Sequence, residues 1–220
     1  MLRKAIHSAK RRVAHRLREV RLRRAPQVDV HGFPLVDLGP RSSAVDPAIR
    51  TKVDEALRII AHFAPTRFVE LRRDVSYICL RPMPGLRGRY WSQHRAIVLA
   101  SDFVRVRGNA RIALTIIHEA THARLFRAGF GYDDTNRDRI ERVCKSAEIN
   151  LARRIPDSEQ ALANLEWEIE QPGATDNERA KHHVDELVAN EYPAWFVRRV
   201  SRRNGFVYTA GESDADSPVT

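Results

Sequence analysis

The sequence predicts an α+β fold in which a small antiparallel or mixed sheet packs on two central helices, followed by a helical C-terminal part. Two observations indicate this class. Apolar residues recur at helical spacing over 110–128 and over about 135–154, and neither stretch contains Pro or Gly. Short apolar runs at Val75–Leu80 and Ala96–Ala100 lie before them, and turn residues separate these runs, as expected for strands.

Residues 1–25 predict a basic amphipathic helix. Ten Lys and Arg side chains between residues 1 and 24 face a single acid, Glu19, so this segment carries nearly all of the chain's formal charge of +10. An apolar stripe runs along the same segment. An anionic membrane surface or nucleic acid is therefore a possible partner of residues 1–24, and a transit-like segment is a third interpretation. The alternative is an extension that packs on its own domain or is partly disordered.

The rest of the chain predicts one domain between a linker and a tail. Residues 26–45 contain Gly and Pro at short intervals and indicate a linker, and residues 206–220 indicate a polar tail. A chain of 220 residues with 43% hydrophobic content has enough apolar side chains for one sizeable core. The linker and the tail therefore leave residues 46–205 for a single domain.

Within this domain the elements follow in a simple order. Asp46-Pro47 predicts a helix start, with the aspartate as cap and the proline in the first turn, and Pro65 predicts its end. Tyr90-Trp91 and Ala96–Ala100 indicate a hairpin that leads into the helix over 110–128. Two further helices are predicted over 157–171 and about 177–199, before the tail.

The most informative motif lies on the helix over 110–128. Its residues are His118-Glu119-Ala120-Thr121-His122. Residues four apart on a helix lie on the same face, so His118 and His122 are predicted to bind one Zn²⁺. Glu119 is turned about 100° from His118, which places its carboxylate beside an open position of the metal.

The motif, together with Glu141, resembles the gluzincin zinc peptidases, over about residues 110–155. Eighteen residues separate His122 from Glu141, which is the spacing of the third zinc ligand in aminopeptidase-like gluzincins. The resemblance thus implies His118, His122 and Glu141 as metal ligands and Zn²⁺ as the cofactor. Glu148 is the alternative third ligand, because it lies seven residues on and shares nearly the same helix face.

The resemblance implies a zincin-like catalytic domain and an enzyme, a zinc metallopeptidase. Glu119 would act as general base on a metal-bound water, and the substrate would be a peptide or protein. In the family an edge strand before the motif helix pairs with the substrate, which Ile97–Ala100 is expected to do. An ordinary core strand is the alternative. The side chain that supports the oxyanion is left open among four candidates: Tyr90, His94, Tyr132 and Tyr192.

Composition limits the setting of this activity. The chain has two cysteines, Cys79 and Cys144, so a disulfide framework is not expected and a reducing compartment is favoured. No apolar run reaches the length of a membrane span, and the predicted location is the cytoplasm, including a peripheral position at the membrane. The alternative function is a non-proteolytic zinc-binding protein that docks on membrane or nucleic acid through its basic N-terminal helix.

Overall fold

The computed structural model describes residues 22, 24–39, 44–83, 86–131, 136–156 and 158–170, the last four of them as helical backbone only. These residues form a five-stranded sheet and six α-helices. The strands are β1 (Gln27–Val30), β2 (Phe33–Asp37), β3 (Tyr77–Arg81), β4 (Gly88–Trp91) and β5 (Ala96–Ala100). The helices are α1 (Pro47–Phe63), α2 (Pro65–Asp74), α3 (Ser101–Val106), α4 (Asn109–Arg127), α5 (Arg137–Ala152) and α6 (Glu159–Glu170).

The sheet is mixed, and its strand order is β1-β2-β3-β5-β4. Strands β2, β3 and β5 run parallel to one another, while β1 and β4 are antiparallel strands at the two edges. One face of the sheet belongs to the main core that it shares with the helices, and Leu35, Ile78 and Leu99 lie there. This arrangement confirms the α+β class and selects the mixed sheet from the two predicted alternatives.

The predicted linker at residues 26–45 is wrong over most of its described length, because β1 and β2 form a hairpin there. Its turn is His31-Gly32, and both residues have positive φ, 51° and 77°. Two consecutive left-handed residues match the right-handed twist of a tight hairpin, and glycine adopts that conformation without steric cost. Pro34 lies inside the hairpin on β2, opposite Asp29, so the Gly and Pro that indicated a linker belong to an edge hairpin.

The expected edge strand at Ile97–Ala100 is also wrong. All five residues of β5 are buried, and the strand lies between β3 and β4. A continuous apolar run is typical of a strand that is covered on both faces, which is the condition of β5. Strand β4 takes the edge position instead, and its antiparallel pairing with β5 confirms the predicted hairpin.

Helix α1 begins as predicted. The side chain of Asp46 accepts a hydrogen bond from the backbone N–H of Ala48, and Pro47 occupies the first turn. Helices α2 and α3 were not predicted, because each buries few apolar side chains. In α2 the buried residues are Leu71 and Asp74. Such helices are held by neighbouring elements rather than by a strong pattern of their own.

Helix α4 is the central element, and it carries the motif. It packs against α1, α2, α5 and β4, and every residue from Ile112 to Ile117 is buried. Phe126 differs from the prediction, since half of its surface is exposed at the end of the helix. Helix α5 lies against α4 and buries Ile140, Cys144 and Leu151, as its apolar stripe predicts.

Several predicted segments lie outside the described residues. These are the basic helix over residues 1–21, the helix over 177–199 and the tail at 206–220. Leu22, near the end of the basic segment, is described and buried. It belongs to a second apolar cluster with Val36, Cys79 and Val98 on the other face of the sheet. Within the described part of the chain, no helix has the length and apolar character that crossing a membrane requires.

Candidate metal centre

The two histidines of the motif lie on one face of α4. Their Nε2 atoms are 3.2 Å apart, and their ring centroids are separated by 4.9 Å. Each side chain is mostly buried, with 17% of His118 and 15% of His122 exposed. The spacing of four residues on a regular helix brings them together, as the sequence predicts.

Glu141 approaches both histidines from α5. One carboxylate oxygen, Oε2, lies 3.3 Å from His118 Nε2, and the other, Oε1, lies 3.5 Å from His122 Nε2. Two nitrogen or oxygen ligands of a tetrahedral zinc are about 3.3 Å apart when each bond is about 2.0–2.1 Å long. The three donor groups therefore have the mutual spacing that one zinc ion requires.

Glu148 occupies a different position from Glu141. Its Oε1 lies 2.6 Å from His118 Nδ1, on the side of the imidazole that faces away from His122. Glu148 is buried, with 5% of its surface exposed. A carboxylate on the second ring nitrogen of a metal-binding histidine holds the ring in one orientation and one tautomer. The two glutamates therefore differ in position. Glu141 lies beside both histidines, where it could bind a metal, and Glu148 lies behind His118, where it accepts a hydrogen bond from Nδ1.

Cys144 is a further donor at this place, and the sequence analysis did not identify it. Its Sγ and the ring nitrogens of His118 and His122 all lie within 4.8 Å of one another. The thiol is fully buried, and both Cys144 and Cys79 are free. The available signal was its position three residues after Glu141, which places the two side chains on one face of α5.

Glu119 lies next to the edge strand β4 and is 7% exposed. Its carboxylate accepts a hydrogen bond from the backbone N–H of Tyr90. Gly88, at the start of β4, lies so close that a Cβ atom there would be 3.3 Å from Glu119 Cγ and 3.0 Å from Thr115 Cγ2. The glycine thus allows the strand to pass directly over the glutamate.

The buried groups change one another's affinity for protons. Burial alone would lower the pKa of His118, but hydrogen bonds to Glu141 and Glu148 outweigh it and raise the pKa to about 10. Burial and the neighbouring charge of His118 lower the pKa of His122 to about 4. Burial raises the pKa of Glu119 to about 7.

Electrostatically the cluster attracts positive charge. Three carboxylates, from Glu119, Glu141 and Glu148, surround two imidazoles in a mostly buried space. Buried charges are stable when they are paired or bind a metal. The carboxylates of Glu141 and Glu148 raise the pKa of His118, so positive charge beside its ring is electrostatically favoured. The residues present therefore fit a divalent metal in donor type, spacing and charge.

The oxyanion candidates divide into two groups. Tyr90 lies on β4, where its ring contacts that of Phe126 at the end of α4, with centroids 6.3 Å apart. His94 belongs to a short 3-10 helix, Ser92–His94, and its ring contacts Trp91. Tyr132 and Tyr192 lie outside the described residues. Of the described pair, Tyr90 is the one whose backbone contacts Glu119.

Comparison with known proteins identified no relative of this chain. No family model matches the sequence, and no match was found among curated proteins or among solved structures. The residues of the cluster and their distances are therefore what indicates a function.

Proposed function

We propose that this protein is a zinc-dependent metallopeptidase with a zincin-like catalytic domain of the gluzincin type. The observation that carries the proposal is the convergence of His118, His122 and Glu141, whose donor atoms lie 3.2–3.5 Å apart, beside the buried carboxylate of Glu119. Three protein donors with a carboxylate next to them are typical of catalytic zinc sites, because the fourth position stays available.

His118, His122 and Glu141 would hold the metal, and Glu148 would orient His118 through its Nδ1 atom. When bound, Zn²⁺ supplies Lewis acidity, which polarises a carbonyl group and makes water more acidic. Glu148 contributes by fixing the tautomer in which His118 Nε2 is available as a donor. The hydrogen bond is short, 2.6 Å, and its buried position keeps water from competing for it.

Glu119 is the proposed general base. Its carboxylate accepts the proton of the attacking water and then delivers it to the amine that leaves as the peptide bond breaks. The backbone N–H of Tyr90 donates a hydrogen bond to this carboxylate, and β4 passes close to the side chain of Glu119 at Gly88. This support keeps Glu119 in a single position, which proton transfer requires.

Strand β4 is the proposed contact for an extended peptide substrate. It ends the sheet of the described residues and passes beside Glu119. An extended peptide that adds to a sheet edge is held through main-chain hydrogen bonds and needs no particular sequence. We thus assign the pairing with substrate, which was expected of Ile97–Ala100, to Gly88–Trp91, the other strand of the same hairpin.

The test is Glu119→Gln in protein with a measured zinc content. Glutamine keeps the size of the side chain but does not accept the proton of water at the same atom. We expect zinc binding to persist and peptide hydrolysis to fall by a factor of about 10²–10⁴. Glu55→Gln is the matched control, since Glu55 lies on α1 and pairs with Arg58.

Equal rates of hydrolysis by parent and Glu119→Gln, at equal zinc occupancy, would contradict the mechanism. That result would favour the second candidate, a non-proteolytic zinc protein that docks on membrane or nucleic acid through residues 1–24. One observation supports this candidate: Cys144 is a fourth donor near the histidines, and four protein donors are typical of structural zinc. Both functions fit the cytoplasm, where buried free cysteines stay reduced.

A further inference from the structure

The four donor side chains of the cluster come from two helices in a regular pattern. Helix α4 contributes His118 and His122, one turn apart, and α5 contributes Glu141 and Cys144, also one turn apart. Each helix thus presents two potential metal ligands on the face that meets the other helix. Cys144 differs from the other three in its softness, since sulfur favours zinc over the hard cations that oxygen ligands prefer.

The Sγ atom lies within reach of the same metal. It and the two imidazole nitrogens are all within 4.8 Å of one another. A sulfur and a nitrogen on one tetrahedral zinc are about 3.6 Å apart, given bonds of about 2.3 Å and 2.0–2.1 Å. Each distance between the sulfur and a ring nitrogen therefore has to shorten by at most about 1.2 Å for the thiol to join the coordination sphere.

The surroundings of Cys144 favour this contact over other fates of a thiol. The side chain is fully buried and free, so exchange with outside thiols is hindered. Burial and three nearby carboxylates disfavour a free thiolate at this position, so the sulfur ionises there only against a bound cation. With two imidazoles, one carboxylate and one thiolate, a Zn²⁺ centre is electrically neutral, which suits its buried position.

We propose that Cys144 is a direct sulfur ligand of the metal, in addition to His118, His122 and Glu141. On binding, the S–H bond breaks, the proton passes to solvent, and the sulfur forms a bond to Zn²⁺ without any change of oxidation state. The resting centre then has four protein donors. Hydrolysis requires the thiolate to withdraw or the metal to accept a fifth ligand, so Cys144 restrains the activity of the same site. This inference depends on the metal binding of the proposed function.

The experiment is X-ray absorption at the zinc edge on the full chain loaded with one zinc. We expect one sulfur at about 2.3 Å and nitrogen or oxygen donors at about 2.0–2.1 Å. The chain has two cysteines, so a sulfur that persists in Cys79→Ser belongs to Cys144. Cys79→Ser is the matched control, because Cys79 is equally buried but lies on β3, in the apolar cluster with Val36 and Val98.

Cys144→Ser should lose the sulfur signal and keep zinc bound by the remaining donors. If that variant does not fold, the spectra of the parent and of Cys79→Ser still decide the question. Bound zinc with nitrogen and oxygen donors alone in the parent overturns the sulfur ligand and leaves the hydrolase proposal intact. Failure of the folded parent to bind zinc overturns both. A sulfur that remains in Cys144→Ser and disappears in Cys79→Ser also contradicts the inference.

Discussion

Acidic side chains are buried at two places along α4, and the groups that bind them differ. Asp74, the last residue of α2, lies beside the C-terminal end of α4. Its side chain is 1% exposed and is bound by two arginines. Arg73 donates two hydrogen bonds of 2.8 Å, and Arg127 on α4 donates one of 2.6 Å. In the middle of the helix, Glu119 and Glu148 are also buried, and their hydrogen bonds are to the backbone N–H of Tyr90 and the imidazole of His118, respectively.

The difference separates a structural ion cluster from a site that suits an external cation. The Asp74 cluster holds α2 to α4 through arginine side chains that bind the carboxylate directly. In the candidate metal centre, imidazoles face the carboxylates, and the charges of Lys145 and Arg111 also act on Glu148. The imidazole and carboxylate donors there have the spacing of zinc ligands, so we expect a bound cation to stabilise this arrangement further. Six variants test this distinction.

The largest effect is expected from His118→Ala and His122→Ala. Each removes one imidazole from the three donors that lie 3.2–3.5 Å apart, and the side chains that remain should hold the metal much more weakly. Metal analysis after dialysis should show about one zinc per parent chain and almost none in either variant. His62→Ala, an exposed histidine near the end of α1, is the control and should keep its zinc. Full occupancy in both motif variants would remove the metal centre from the comparison.

Asp74→Asn should weaken the fold and leave the metal in place. The amide loses the charged hydrogen bonds to Arg73 and Arg127, each half exposed, so we expect a loss of about 1.5–3 kcal/mol in the free energy of unfolding. Urea denaturation measures this change. A variant that unfolds like the parent but no longer binds zinc would contradict the separation of the two clusters.

The same substitution should change how stability depends on pH. Hydrogen bonding by Arg73, with help from Arg127, holds the pKa of Asp74 below its usual range despite burial. The unfolded chain, in which the pKa is about 3.9, binds more protons, so the stabilisation is fully present above that pKa. It is lost as the pH falls through the lower pKa of the folded state. Asp74→Asn should therefore differ from the parent at pH 6 and approach it near pH 2.

Glu148→Gln tests the acceptor behind His118. The amide keeps an oxygen for the Nδ1–H group but loses the charge, and substitutions of this kind weaken metal binding by about 10–100-fold. Glu141→Gln should weaken it further, because that carboxylate is a proposed ligand. A competition assay with a chelator measures both. If Glu148→Gln releases zinc and Glu141→Gln does not, the two glutamates have exchanged roles.

Gly88→Ala should have the smallest effect. The new Cβ would lie 3.0 Å from Thr115 Cγ2 and 3.3 Å from Glu119 Cγ, so the glutamate or β4 has to shift by a few tenths of an ångström. A displacement that costs about 0.5–1.5 kcal/mol reduces the rate of hydrolysis by about 2–10-fold, with zinc retained. Gly108→Ala is the control, since nothing lies within 4 Å of its added Cβ. Equal effects of the two changes would show that β4 does not position Glu119.

The motif helix was predictable because its signal is local. Nineteen residues without a break form α4, and the spacing of His118 and His122 fixes their common face. The choice between Glu141 and Glu148 was not predictable in the same way. Residues seven apart on a helix differ by only about 20° in direction, so spacing does not distinguish them. They differ by about 10 Å along α5, and how far α5 is shifted along α4 depends on tertiary packing.

The sheet shows the same limit in another form. The run Ala96–Ala100 was predicted as a strand, but its interior place in the sheet depends on pairing with β3. Strand β3 lies on the opposite side of β5 from β4. In the N-terminal hairpin, Gly32 and Pro34 gave the composition of a linker, although Gly32 lies in the turn and Pro34 lies on β2, opposite Asp29 of the edge strand β1. In the sequence Cys144 is one more apolar position of the helix that became α5, and only the position of α5 beside α4 brings it near the histidines.

The burial of α4 has a consequence for the protein without metal. The main core contains apolar residues from the sheet and from all the helices that surround α4, and the proposed ligands lie at its border. We therefore expect the fold to persist without zinc, in contrast to small zinc domains that unfold when the ion is removed. Bound zinc would then add to stability by mass action, by about 2.7 kcal/mol at a free concentration one hundred times the dissociation constant. The melting temperature of the intact chain would then report how much metal it holds.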